Sequence, residues 1–181
     1  MTRQTPVFHE VPNLYRIIPL QVLRKTPGVS FDLVPTDVLP RIDGIDRVLH
    51  DGDAVSPGPV GKVDRPWYMH PFQDDNLVIL HGVRFIEIYI REHGRIESFE
   101  VAPHQIRQDG QIVYDGPAML VWPRRVFHRI RSDVNVGSSS VNFAVRYEGF
   151  DVRTNFNVYD LNPANGEYRM IRAGHLAQPS G

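Results

Sequence analysis

Residues 67–90 read WYMHPFQDDNLVILHGVRFIEIYI. Three strand-like runs stand in this stretch, at residues 67–72, 76–81 and 83–90. Phe85-Ile86-Glu87-Ile88-Tyr89-Ile90 is built almost wholly from β-branched and aromatic side chains, which fit a pleated, half-buried surface. His81-Gly82 interrupts two runs and predicts a hairpin turn. The runs are too short, and too closely punctuated, for helices.

The same rhythm continues on both sides. Strands are predicted downstream at residues 96–101, 111–114, 118–122, 127–131, 141–147 and 155–159, and upstream at 29–34 and 47–50. His93-Gly94, Asp109-Gly110 and Asn162-Pro163-Ala164-Asn165-Gly166 are turn signals, and Gly137-Ser138-Ser139-Ser140 reads as a flexible connection. The only helix candidates are residues 35–39, with Thr36 as a cap, and a turn over 14–22. Ten or so strands without a long helix imply an all-β fold that closes on itself or doubles its sheet, because open edges must be managed. A jelly roll is the natural candidate, beside a lipocalin-like barrel or an immunoglobulin-like sandwich. The expected organisation is an N-terminal arm over residues 1–60, a barrel over 61–172 and a flexible tail over 173–181. Residues 159–172 suit a final hairpin covering one barrel edge.

At 181 residues the chain suits one domain with a substantial core. Hydrophobic residues make up 41% and charged residues 23%, an ordinary globular balance. A net charge of -1 offers no basic stripe for nucleic acid. The apolar run Leu77-Val78-Ile79-Leu80 is far too short to span a bilayer, and residues 1–6 lack the apolar stretch of a signal peptide. There is no cysteine, which excludes disulfides, thiolate nucleophiles and Cys-based zinc sites. A cytoplasmic protein with a small-molecule substrate, and without nucleic-acid or membrane partners, is expected.

Two segments carry the chemistry. One is Tyr68-Met69-His70-Pro71-Phe72-Gln73-Asp74-Asp75, followed after six residues by Gly82; the other is Pro123-Arg124-Arg125-Val126-Phe127-His128. Together they resemble the paired motifs of the cupin superfamily over residues 61–132. The first family motif runs Gly, five residues, His-x-His, three or four residues, Glu, six residues, Gly. Here His70 matches its second His, Asp75 its carboxylate and Gly82 its final Gly, while Tyr68 stands in place of the first His. The second motif, Pro-x-Gly-x-x-His, is matched by Pro123 and His128, with Arg125 in place of Gly. The resemblance implies a double-stranded β-helix, the jelly-roll barrel of the cupins. It also implies that His70, Asp75 and His128 point into the barrel mouth as ligands of one divalent metal ion.

The residues support the same site on physical grounds. Side chains two apart on a strand share a face, so Tyr68, His70 and Phe72 point together into the interior. Two His and one carboxylate can form a facial triad with open positions, suited to Fe, Mn, Ni or Zn. Asp74 can replace Asp75 as the carboxylate. Gln73 can ligate or bind substrate, Tyr68 can be a fourth ligand, a general acid or a packing residue, and Arg125 can bind an anionic substrate. The leading expectation is a metal-dependent enzyme of oxygenase, isomerase or lyase type. The alternatives are a metal-free sugar epimerase or isomerase, with His70 as base and Tyr68 as acid, and a non-catalytic small-ligand barrel. Tyr15-Arg16-Ile17-Ile18, ended by Pro19, can add to a neighbour's sheet edge, so a homodimer is expected.

Overall fold

The computed structural model describes residues 7–178. The chain begins with β1 (His9–Val11), β2 (Tyr15–Pro19), β3 (Gln21–Thr26), β4 (Val29–Leu33), β5 (Gly44–His50) and β6 (Val55–Ser56). It continues through β7 (Trp67–Met69), β8 (Gln73–Gly82), β9 (Arg84–Tyr89), β10 (Glu97–Ala102), β11 (Gln105–Gln108) and β12 (Gln111–Asp115). Then come β13 (Ala118–Trp122), β14 (Phe127–Ser132) and β15 (Ser138–Arg146), a one-turn helix α1 (Val152–Asn155), and the hairpin of β16 (Val158–Asn162) and β17 (Glu167–Arg172). Two antiparallel sheets dominate. The six-stranded sheet runs β1-β2-β13-β8-β15-β5, and the nine-stranded sheet runs β12-β11-β10-β9-β14-β7-β16-β17 with β6 beside β14. No described helix is long and apolar enough to cross a membrane.

Alternation builds the interior. On β9, Ile86 and Ile88 are buried while Phe85 and Glu87 are half-exposed. With Leu77 and Ile79 of β8, Phe99 and Val101 of β10, and Ile17, Leu120 and Trp122 they form the main core between the sheets. A second cluster, Ile18, Leu20, Leu39, Val78, Met119 and Val121, lies on the other face of the six-stranded sheet. The 3₁₀ turn Thr36–Val38, expected as a short helix, brings Leu39 to it. Asp109 and Gly110 both take positive φ, 49° and 77°, as a two-residue hairpin between right-twisted strands requires.

Several expectations need correction. Residues 14–22 are not helical: β2 pairs with β13 of the same chain, Ile18 opposite Met119. β5 likewise pairs with β15, so β2 and β5 both belong to the six-stranded sheet. His81-Gly82 is not a hairpin turn, because β8 and β9 lie in different sheets. It is the corner between them, where Gly82 takes φ 70° and any Cβ would collide with the Gly137 carbonyl. The supposed flexible serines open β15, and their hydroxyls surround a buried cation. Arg84, 1% exposed, donates from Nε to Ser138 Oγ (2.9 Å), from Nη1 to Ser140 Oγ (2.6 Å) and from Nη2 to the Val48 carbonyl (3.2 Å). Gly174–Ala177 of the expected frayed tail forms a 3₁₀ turn anchored by the Gly174 N–H on Asn157 Oδ1. Residues 1–6 and 179–181 lie outside the described residues.

Candidate functional site

Register brings the site together. β14 pairs with β7 so that His128 faces Tyr68, and β13 pairs with β8 so that Trp122 faces Asp75. His70 follows β7 directly, and its carbonyl accepts the Arg125 N–H at 2.8 Å, which ties the two motif segments to each other. The result is a buried triad, with His70 and Asp75 5% and His128 4% exposed. Asp75 Oδ2 lies 3.4 Å from His70 Nε2 and 4.0 Å from His128 Nε2. One ligand atom from each residue falls within 4.8 Å of the others.

Hydrogen bonds fix which atoms face inward. His70 Nδ1 lies 2.5 Å from the Asn155 carbonyl, and His128 Nδ1 lies 3.2 Å from the Val126 carbonyl. A carbonyl can only accept, so each Nδ1 carries a proton and each Nε2 is turned toward Asp75. Asp75 Oδ1 accepts from Gln73 Nε2 and from Asn142 Nδ2, both at 2.9 Å, which leaves Oδ2 for the imidazoles. Beyond these amides the network closes at the surface. Arg146 Nε reaches Gln73 Oε1 at 3.4 Å and Arg146 Nη2 lies 3.7 Å from Asp46, to which Asn142 Nδ2 also donates.

Burial holds the His128 pKa down to about 4; the neighbouring His70 acts the same way, and Asp75 and the Val126 carbonyl oppose it. His50 is also depressed to about 4, by burial first and by Arg84 second. Both stay neutral in the folded chain where the unfolded chain would already bind protons. Stability is therefore full above about pH 6.5 and falls as pH drops toward about 4. Urea titrations at pH 7, 5.5 and 4.5 check this; unchanged midpoints would contradict it.

The remaining candidates separate clearly. Asp74 turns to the rim, where its carboxylate accepts the Arg124 N–H and the Tyr147 hydroxyl, both at 2.7 Å. Asp75 is thus the inward carboxylate. Tyr68 is half-buried; its ring stacks on His70 at 6.3 Å and lies 6.0 Å from His128. Gln73 reaches the triad by orienting Asp75. Arg125 is exposed with φ 69° and borders a groove of about 870 Å³ shared with Arg91, Met69, Phe127 and Tyr168. His81 is exposed near the end of β8. Sequence reasoning missed Asn142, Asn155, Trp122 and Phe156. Phe156 packs edge-on to His70 at 5.4 Å and shields it. Only Asn142 left a trace, as a polar residue at an inward position of an alternating strand.

No family model matches the chain, and no curated protein matches it. Solved structures do. QdtA, a sugar 3,4-ketoisomerase from Thermoanaerobacterium thermosaccharolyticum, in complex with TDP, aligns with a TM-score of 0.53 at 14% identity, over 78% of this chain and 85% of that one. A His-to-Asn mutant of the same enzyme, in complex with TDP-4-keto-6-deoxyglucose, aligns over the same shares with a TM-score of 0.54 at 15% identity. Likeness at this identity speaks for architecture alone, and it agrees with the two facing antiparallel sheets: the chain is an all-β jelly-roll barrel of the cupin type.

Proposed function

We propose that this protein is an enzyme that isomerises a sugar-type ketone by moving the carbonyl to the neighbouring carbon. The observation that carries this reading is the setting of His70. Its Nδ1–H is committed to Asn155, so Nε2 is the atom able to take a proton, beside the Asp75 carboxylate and under the Tyr68 ring. His70 removes the proton from the carbon beside the carbonyl, and the electron pair moves onto the carbonyl oxygen as an enediolate. Tyr68 protonates that oxygen. The proton on His70 then returns to the former carbonyl carbon as the adjacent hydroxyl passes its own proton to Tyr68, which restores the acid, and becomes the new carbonyl. Atoms and electrons balance without an oxidant. That solved structures of this fold include ketoisomerases in complex with TDP and with a TDP-ketosugar supports the substrate class. TDP-4-keto-6-deoxyglucose, offered to protein dialysed against chelator, should be converted at the undialysed rate. An unchanged substrate with either preparation overturns the reading.

A second reading rests on the two Nε2 atoms converging on Asp75 Oδ2. His70, His128 and Asp75 fit a divalent ion such as Fe, Mn, Ni or Zn, which would polarise the substrate's carbonyl. Turnover lost on chelation and restored by one of these ions favours this reading over the metal-free one.

Arg125 is the candidate for the substrate's anionic part. Left-handed backbone is costly for a residue with a Cβ, so Arg125→Gly should raise stability by roughly 0.5–1 kcal/mol. It should raise KM about tenfold with little change in kcat. Thermal melts and steady-state kinetics check both; an unchanged KM removes Arg125 from the substrate site.

We also infer a homodimer. The hairpin of β3 and β4 leaves Val22, Leu23, Val29, Phe31 and Leu33 exposed, and the six-stranded sheet leaves Ile45, Leu49 and Leu80 exposed. A second copy with the same two patches can cover both. Light scattering at micromolar concentration should give twice the chain mass, and Phe31→Asp should lower it; a monomer contradicts the inference.

A further inference from the structure

Buried polar side-chain atoms almost always find a hydrogen-bond partner, so those that do not call for an explanation. Among the described residues four such atoms lack one: Trp122 Nε1, both amide atoms of Asn155, and Arg172 Nε. Three of the four belong to residues that border the triad. Trp122 ends β13 opposite Asp75, and its indole lies 5.3 Å from the His128 ring. Asn155 ends α1, and its backbone carbonyl holds His70. Both residues are almost fully buried.

We propose that Trp122 and Asn155 hold the oxygens of the substrate, a ketone with an adjacent hydroxyl, beside the His70–Asp75–His128 triad. The proposal rests on the ketone-isomerase reading above and extends it to two side chains which that reading does not use. Trp122 Nε1–H can only donate, which suits a carbonyl oxygen that becomes an enediolate. The Asn155 amide both donates and accepts, which suits a hydroxyl that must give up its proton. Both groups are neutral. They therefore select for oxygen-rich uncharged parts of a ligand and leave Asp75 as the one charge in the centre. A polar ligand would pair these atoms.

The test is Asn155→Leu, which keeps side-chain size and the backbone carbonyl on His70 while removing both orphaned atoms. Trp122→Phe accompanies it and removes only the N–H end of the ring. If the atoms face a ligand, Asn155→Leu should melt at or above the wild-type temperature, because an unpaired polar group has been replaced by an apolar one. Conversion of TDP-4-keto-6-deoxyglucose should fall on the order of 100-fold in kcat/KM for each variant. A melting temperature lowered by several degrees in Asn155→Leu would mean that its amide serves the fold, and would overturn the proposal; so would wild-type turnover in both variants. If the wild-type protein does not act on this ketone, the isomerase reading fails, and the melting temperature still decides whether the Asn155 amide serves the fold or faces a ligand.

Discussion

Replacing His70 by Asn should lower the isomerisation rate by about 10³-fold and leave the fold intact. An Asn amide can still donate to the Asn155 carbonyl, as His70 Nδ1 does, so the local geometry survives. It cannot accept a proton from carbon, and positioned acid–base groups typically contribute about 10²–10⁴-fold. The loss should appear in kcat and kcat/KM together, because the interaction belongs to the transition state. A variant that keeps a tenth or more of wild-type turnover would remove His70 from the role of base. Tyr68→Phe offers the companion comparison, since it keeps the ring stacked on His70 and removes only the hydroxyl.

The second large effect is on stability. Asp75→Ala should destabilise the barrel by about 3 kcal/mol. The carboxylate is buried and accepts from Gln73 and Asn142, and its other oxygen faces two imidazoles. Truncation leaves two amide donors without their acceptor and opens a gap between the sheets, and each cost adds to the other. Asp74→Ala should cost far less, because Asp74 sits at the rim where water can replace its carboxylate. Urea unfolding of the two variants side by side checks the contrast, and equal losses would contradict the inward placement of Asp75.

The parts of the fold that could be read from the sequence are those where one face of a strand is buried and the other is not. β9 and β10 alternate in this way and were recognisable. β2 was not, because Ile17 packs into the inner core and Ile18 into the outer cluster, so consecutive residues are both apolar and no period of two remains. β11, Gln105-Ile106-Arg107-Gln108, offers a single buried side chain and was missed for the opposite reason. The serines at 138–140 look like a linker until Arg84, more than fifty residues away, is placed among them. The site divides similarly. His70, Asp75 and His128 stood out through motif spacing, and β pairing turns Asp75 inward and Asp74 to the rim. Asn155 and Trp122 reach the site only through contacts between distant strands and a helix end, which no local pattern announces.

Proton NMR of TDP-4-keto-6-deoxyglucose incubated with the protein in D₂O tests most directly whether this centre moves a proton beside a carbonyl. The isomerised sugar should form, with solvent deuterium at the carbon that held the original carbonyl wherever the proton on His70 exchanges before it returns, and His70→Asn should leave the substrate unconverted. A substrate that stays unlabelled and unconverted with the wild-type protein, whether or not Fe, Mn, Ni or Zn is added, would contradict the proposed chemistry.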